Sequence, residues 1–523
     1  MPVQTRFVLL GIFAIVPWLW PHTSGPVAAT EPYFVSTAAA ALLLVLWPVG
    51  EVARALRLTA WAWLIAALAS SVIALLQYFN LEGPLYPLVN IAEPGQAFGN
   101  LRQPNQLATL LVIGLISLRW LVQQARVPHV ALAAMGSLIL AALAATASRV
   151  GMVELLLCGA LAVWWALGTK QSRHVRLTLW GVGGAVALYV VAAAALPLLI
   201  QSTEGVAGRD LGERLLKAES TCGSRLILWR NVLHLIAQKP WTGWGWGELD
   251  YAHYINLYDG PRFCHILDNA HNLPLHLAVE LGVPVALLFC GLVAWLIWRG
   301  KPWAEQQPAR QLAWGVLLAI GLHSMVEYPL WYGPFQIAIV ICIWLLWATR
   351  SAAVQPNQPA ATRATVPVWR WAVAAVMLAA VGYAGWDYHR ISQLYLAPDD
   401  RDAAYREDPM RYAEQSKLFA DSVRFAKVTS QPATKDNAAW MLPNAMLTLH
   451  FSPEPRVVTK VIESATYLRL DELALAHLQR FRAAFPREHS EWMAGNVRQL
   501  EEARAKLAGN SAAVANASKP SAP

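Results

Sequence analysis

The sequence predicts an all-α protein: a polytopic bundle of transmembrane helices with a smaller helical part in water. Three observations predict it. The 523 residues are 56% hydrophobic and 14% charged, with 25 Trp, and mean hydropathy is +0.37. That composition buries apolar surface in lipid rather than in one aqueous core. About eleven apolar runs follow one another, at roughly 6–20, 33–49, 59–79, 104–124, 127–147, 150–168, 175–200, 272–298, 311–326, 329–349 and 367–386. Most reach the length a helix needs to cross hydrocarbon; the first and ninth are short. Finally, basic residues fill every second loop: Arg54/Arg57, Arg119/Arg126, Lys170/Arg173/Arg176, Arg299/Lys301/Arg310 and Arg350/Arg363.

The first run ends in Pro17-Trp18-Leu19-Trp20 without a small-residue cleavage site, so it reads as a retained span. The basic loops place the N-terminus on the cytoplasmic side. An odd number of spans then puts the C-terminus outside. Much of the +8 net charge lies in these loops, where it sets topology and implies no nucleic-acid partner. Residues 1–386 form the membrane domain, and two stretches are expected outside it on the outer face. One is the loop 201–271. The other is the tail 387–508, with helical apolar spacing through Val461, Leu468, Leu473, Leu478 and Phe485. Within it, "LALAHLQRFRAAFP" resembles one helix of a tetratricopeptide-like pair. The stretch 509–523 is small and polar and is expected to be disordered.

The polar residues at span edges fall mainly on one predicted face: Gln103-Pro104-Asn105, Ser148-Arg149, Ser224-Arg225, His271-Asn272 and Glu327-Tyr328. Polar groups beside hydrocarbon are costly and persist where they face a cavity or do chemistry. His271 precedes the eighth run; it reads either as an interfacial helix-entry residue or as a general base, since imidazole accepts protons near neutrality. His276 competes with it from farther in. Arg149 stands at a turn with no other charge nearby, so it reaches lipid headgroups or binds an anion. Arg225 and Arg230 begin an amphipathic stretch, and guanidinium forks match phosphate oxygens; a salt bridge is the ordinary alternative for Arg225. Gln103, Asn105 and Gln106 make an amide-rich helix mouth suited to hydroxyl-rich ligands. Glu327, Tyr328, Trp331 and Tyr332 resemble a sugar-stacking and hydrogen-bonding edge, although Trp and Tyr also make up the usual interfacial aromatic belt. "WTGWGWG" at 241–247 is a Gly/Trp turn without the Lys-Ser/Thr ending of a phosphate loop. No metal-ligand spacing occurs, and no cofactor is expected. Cys222 and Cys264 share the outer loop and would pair in an oxidising compartment; Cys158, Cys290 and Cys342 lie in spans.

In "GNLRQPNQLA", "ASRVG", "GSRLILWRNVLHLIAQKPWTGWGWG", "DNAHNLPLHLAVELG" and "HSMVEYPLWYGPFQ", the chain resembles the O-antigen ligase/polymerase superfamily, in its PglL-type O-oligosaccharyltransferase branch. The resemblance spans about 95–350 and continues, less securely, into the tail. It implies a bacterial inner-membrane enzyme whose site faces the periplasm. Such an enzyme moves a preassembled glycan from undecaprenyl pyrophosphate to Ser or Thr hydroxyls of a pilin-like periplasmic protein. By resemblance His271 is the essential loop histidine, and Arg149 and Arg225 bind the pyrophosphate. Gln103 and Asn105 belong to the Gln-Pro-Asn motif, and either Tyr328 or Tyr332 is the functional tyrosine. Pyrophosphate is already a good leaving group, so the chemistry strictly needs neither ATP nor metal. An O-antigen ligase acting on lipid A–core sugar and an O-antigen polymerase share this chemistry and stay open. A transporter is disfavoured, because its charges would sit near bilayer midplanes.

Overall fold

The structure is a computed structural model that describes residues 3–48, 50–124, 128–169, 171–204, 222–350 and 366–517. Arg126, Lys170 and Arg363 of the basic loops lie outside these residues, as do 205–221 and 518–523. Among the described residues the regular structure is helical throughout. Six helices among these residues are long and apolar enough to cross a membrane, and four shorter apolar helices accompany them. The protein is a multi-pass membrane protein. The chain divides into two compact units.

The first unit comprises residues 1–219, 271–277 and 284–419. It contains α1 (Val3–Leu19), α2 (Thr30–Leu46), α3 (Val52–Tyr78), α4 (Pro104–Gln124), α5 (His129–Ala145), α6 (Arg149–Leu167) and α7 (Ser172–Glu204). At its centre α3 packs against α1, α4 and α5. Small residues make that approach possible. Ala60, Ala66, Ala67, Ser70, Ser71 and Ala74 are buried along α3. Opposite them, a Cβ added at Gly114 of α4 would lie 2.3 Å from the Ala67 Cβ. Lipid supplies little hydrophobic drive between helices, so close backbone approach provides much of the attraction.

The eighth apolar run departs from expectation. It is not one helix over 272–298 but α10 (Leu273–Leu281) and α11 (Val283–Gly300), broken at Gly282, whose φ is +88°. Then follow α12 (Pro308–Ser324), α13 (Gly333–Ala348) and α14 (Val368–Ser392). The first unit continues past 386 to Phe419. The reason lies in two residues at the end of α14. The Tyr388 hydroxyl is 2.9 Å from the Ser24 carbonyl. The Asp387 carboxylate accepts from Ser416 Oγ and from the backbone N–H groups of Lys417 and Leu418, at 2.8–3.0 Å.

The second unit joins two segments that sequence reading treats separately: 220–270 with 278–283, and 420–523. It holds α8 (Arg225–Gln238), α9 (Leu249–Ile255), α16 (Ala420–Ser430), α17 (Ala438–Phe451), α18 (Pro455–Tyr467), α19 (Asp471–Ala484) and α20 (Pro486–Ala517), whereas α15 (Pro409–Ala413) belongs to the first unit. The run 457–485 becomes two helices, because the chain turns at Arg469, whose φ is +61°. Val457, Val461, Met441, Leu449 and Phe481 form the core with Tyr254 of α9. The Tyr254 hydroxyl lies 2.8 Å from His477 Nδ1. Helix α20 enters the polar stretch after 508 and ends at Ala517.

Loop 222–270 is closed by a Cys222–Cys264 disulfide with Cα atoms 5.3 Å apart. The Gly/Trp turn docks on the helix break. Trp244 N–H donates to the Val279 carbonyl at 2.9 Å and Gly245 N–H to Glu280 at 3.0 Å. A Cβ at Gly243 would meet the Glu280 carbonyl oxygen at 2.3 Å, and one at Gly282 the Trp241 carbonyl oxygen at 2.3 Å. Only glycine fits where two backbones approach this closely.

Candidate functional site

Three helix N-termini of the first unit carry the candidate residues, and each is entered through a strained turn. Arg102 precedes α4 with φ +62°, Ala147 precedes α6 with φ +46°, and His271 precedes α10 with φ +49°. Left-handed backbone is unfavourable for residues bearing a Cβ and gathers at functional sites. The α4 turn is held from below by Gln77 of α3. Its Oε1 accepts from the N–H groups of Phe98 and Gly99, at 3.2 and 2.7 Å, and its Nε2 donates to the carbonyls of Asn90 and Gly99.

Each turn ends in a polar cap. Gln103 Oε1 accepts from Gln106 N–H at 2.7 Å, so this side chain commits its carbonyl oxygen to the start of α4. Ser148 caps α6 by accepting from Gly151 N–H at 3.0 Å, and its hydroxyl donates to Asn105 Oδ1 at 2.7 Å. Asn272 Oδ1 accepts from Leu275 N–H at 3.0 Å, and its amide donates to the Met325 carbonyl. Such caps satisfy N–H groups that have no partner inside a helix.

His271 Nδ1 stands 2.6 Å from Glu327 Oε2, with the imidazole 16% and the carboxyl 8% exposed. The other Glu327 oxygen is 3.4 Å from Asn105 Nδ2. A continuous polar path therefore runs from His271 through Glu327 and Asn105 to Ser148, linking α4, α6, α10 and the segment after α12. The Tyr328 ring meets the imidazole edge-on at 5.0 Å, and the Tyr332 ring lies 6.3 Å from that of Tyr328. Trp331 packs edge-on against His276, which is buried. A carboxylate on Nδ1 fixes the imidazole tautomer and orients Nε2, the arrangement that suits a histidine to accept a proton.

Beneath this path lies a buried cluster. Thr109 Oγ1 is 2.8 Å from Glu154 Oε1, 2.8 Å from His323 Nδ1 and 3.1 Å from the Asn105 carbonyl oxygen. All three side chains are fully enclosed. The backbone N–H of Glu327 donates to the His323 carbonyl at 2.9 Å.

The structure thus brings His271, Asn105, Ser148, Tyr328 and Tyr332 together, with Gln103 and Arg149 on the same helix starts. Arg149, the first residue of α6, is half-buried. Arg225, the first residue of α8, belongs to the second unit. Sequence reading placed Glu327 on a sugar-binding edge and missed its pairing with His271. It missed Glu154, Thr109 and His323 altogether. Glu154 was legible as the one acidic residue in the sixth apolar run, a position where carboxyls are rare without purpose.

Known families match the chain in three consecutive blocks. A protein glycosylation ligase family matches residues 97–122 and an O-antigen ligase family matches 134–290. The C-terminal part of a virulence factor membrane-bound polymerase family matches 311–499. The blocks cover the helix mouths, His271 and the tail. A general O-oligosaccharyltransferase of Acinetobacter baylyi is 26% identical over 354 residues, 65% of this chain and 58% of that protein. A ComP-specific O-oligosaccharyltransferase of the same organism is 22% identical over 280 residues, 54% of this chain and 49% of that protein. The chain is thus similar to O-oligosaccharyltransferases and, in its middle part, to the O-antigen ligase family. Its match spans about half to three-fifths of the length of these two relatives.

Proposed function

We propose that this protein transfers a preassembled oligosaccharide en bloc from undecaprenyl pyrophosphate to a Ser or Thr hydroxyl of a periplasmic, pilin-like protein. The observation that carries the reading is the His271–Glu327 pair at 2.6 Å, set among the capped starts of α4, α6 and α10 in a chain related to O-oligosaccharyltransferases. His271 Nε2 takes the proton of the acceptor hydroxyl while Glu327 holds Nδ1 and steadies the imidazolium. The hydroxyl oxygen bonds to the anomeric carbon as that carbon's bond to the pyrophosphate oxygen breaks. The electron pair departs with undecaprenyl pyrophosphate, and the anomeric centre inverts. Arg149 and Arg225 offset the charge growing on the leaving group. Gln103, Asn105, Tyr328 and Tyr332 contact the glycan or the acceptor.

In this reading the membrane domain is eleven-pass, with the loop, the tail and the site facing the periplasm of a bacterial inner membrane. The tail supplies a helix-pair, tetratricopeptide-like module that captures a polypeptide acceptor. The positive-inside pattern supports the orientation, and the large tail supports a protein acceptor. The test is transfer in vitro from a defined polyprenyl-pyrophosphate glycan to purified pilin or to lipid A–core. The wild type should glycosylate the pilin, and His271→Ala should not while still reaching the membrane. Transfer to lipid A–core alone would make the protein an O-antigen ligase. Wild-type transfer by His271→Ala would remove the base.

A further inference from the structure

A second polar feature of the first unit lies at the opposite end of α3 from the Gln77 turn. There a cavity of about 390 Å³ opens between α1 and α3. Its apolar wall is made by Phe7, Gly11 and Ile15 of α1 with Leu58, Trp61 and Ile65 of α3, and its mouth by Arg54 and Arg57. We propose that this groove binds an anionic phospholipid, its phosphate on Arg54 and Arg57 and an acyl chain lying along α3 as far as Ile65.

The dimensions fit. From residue 54 to residue 65 a helix rises about 16 Å at 1.5 Å per residue. One leaflet of hydrocarbon is about 15 Å deep, half of the roughly 30 Å core. The groove is therefore one leaflet deep, charged at the surface end and apolar below, which is the shape of a lipid and not of a soluble anion.

The charge fits as well. Around the turn between α2 and α3, Arg6 donates to the Leu46 carbonyl and Arg370 to the carbonyls of Leu44 and Trp47. Arg54 pairs with Glu51 and stacks over the Phe7 ring at 4.8 Å. Arg57 is exposed at the mouth. Glu51 is the acidic side chain facing these guanidiniums, so the corner keeps an excess of positive charge that a zwitterionic headgroup would leave unbalanced. The donor lipid is a poor fit. Its pyrophosphate must reach the helix starts held by Gln77, and the 27 residues of α3 separate that end from this one by about 40 Å.

Gly11 provides a clean probe, because a Cβ there meets no atom within 4 Å. Full-length protein would be purified in mild detergent and titrated with phosphatidylglycerol or phosphatidylethanolamine, with retained lipid counted by native mass spectrometry. The wild type should retain phosphatidylglycerol preferentially. Arg57→Gln should weaken that retention about fivefold, and Arg54→Gln/Arg57→Gln about 25-fold, at the roughly 1 kcal/mol that a basic residue contributes near an anionic surface. Phosphatidylethanolamine should change little in either variant. Gly11→Leu should displace both lipids by filling the groove while leaving every charge in place. Equal retention of the two lipids by the wild type would overturn the proposal. So would unchanged phosphatidylglycerol retention in Arg57→Gln and Gly11→Leu, neither of which removes an intramolecular partner.

Discussion

Replacing Glu327 by Gln tests the pair at the centre of the site. Gln keeps the shape and can turn its one carbonyl oxygen to His271 Nδ1, 2.6 Å from one carboxyl oxygen, while its NH2 takes the place of the oxygen 3.4 Å from Asn105 Nδ2. What it removes from the imidazole is charge, and from Asn105 the long contact to the second oxygen. A hydrogen bond to a charged group is worth about 1.5–3 kcal/mol, against about 1 for a neutral pair. The imidazolium that forms as the hydroxyl is deprotonated should therefore lose about 1–2 kcal/mol of support. At 1.36 kcal/mol per decade that is roughly a 5- to 30-fold fall in kcat/KM. Glu327→Ala should fall further, because it also removes the oxygen facing His271 Nδ1 in an enclosed site, a cost of about 1–3 kcal/mol more. The assay is initial-rate transfer to a purified acceptor, with thermal unfolding measured alongside to confirm that each variant is folded. A double-mutant cycle isolates the coupling. Because Glu327 acts through the imidazole, His271→Ala/Glu327→Gln should be no slower than His271→Ala alone. A Gln variant with wild-type kcat/KM, or a double mutant slowed by the full product of the single effects, would refute the reasoning.

Three further predictions concern stability. Cys222→Ser/Cys264→Ser should lower the stability of the second unit by about 4 kcal/mol, the chain-entropy value for a separation of 42 residues; urea midpoints with and without reductant report it, and identical midpoints would exclude the bridge. Burial and the nearby Arg262 lower His253 to about 3, so the unfolded chain takes up a proton first as pH falls below 6.5. That contribution is complete above pH 6.5 and is lost toward pH 3, amounting to about 2 kcal/mol at pH 5. Asp250, raised by burial to about 8, acts with the opposite sign and loses stability as pH rises. The comparison is therefore wild type against His253→Gln by pulse proteolysis at pH 7 and pH 5, and equal losses in the two would contradict the assignment. Gly282→Ala should cost at least about 1 kcal/mol for its left-handed backbone, and more because its Cβ would press on the Trp241 carbonyl; an unchanged melting temperature would contradict the docking of the Gly/Trp turn on the helix break.

The parts of the fold legible in sequence are those governed by local hydropathy and cap chemistry. Ser148 before an apolar run announces a helix start, and Pro104, Pro308 and Pro455 sit where helices begin. The break at Gly282 was hidden because apolar residues continue on both sides of it; the cause is the turn at 241–247, nearly forty positions earlier. The same limit applies at the site. Asn105, Ser148 and His271 stood out as polar residues at span edges, whereas the link from His271 to Glu327 crosses 56 positions. Glu154 and His323 meet on a single Thr109 hydroxyl through helix packing, which no spacing rule reports. The extent of the first unit to Phe419 rests on Asp387 and Tyr388, two side chains that read as ordinary residues at the end of a span.

The left-handed turns at Arg102, Ala147 and His271 have a consequence for any attempt to harden this protein by selection. Each non-glycine residue held there forfeits roughly 1–2 kcal/mol, from a net stability that for a domain is only about 5–15 kcal/mol. A library screened for heat resistance alone would therefore drift toward glycine only where the side chain ties nothing down. At Ala147 the exchange removes only a methyl group. At Arg102 it deletes the guanidinium that ties the α4 turn to Asn90, Thr23 and Pro21. At His271 it deletes the imidazole itself. At those two turns the side chain's contacts oppose the exchange, and Ala147 is where backbone relief and transfer can be met together.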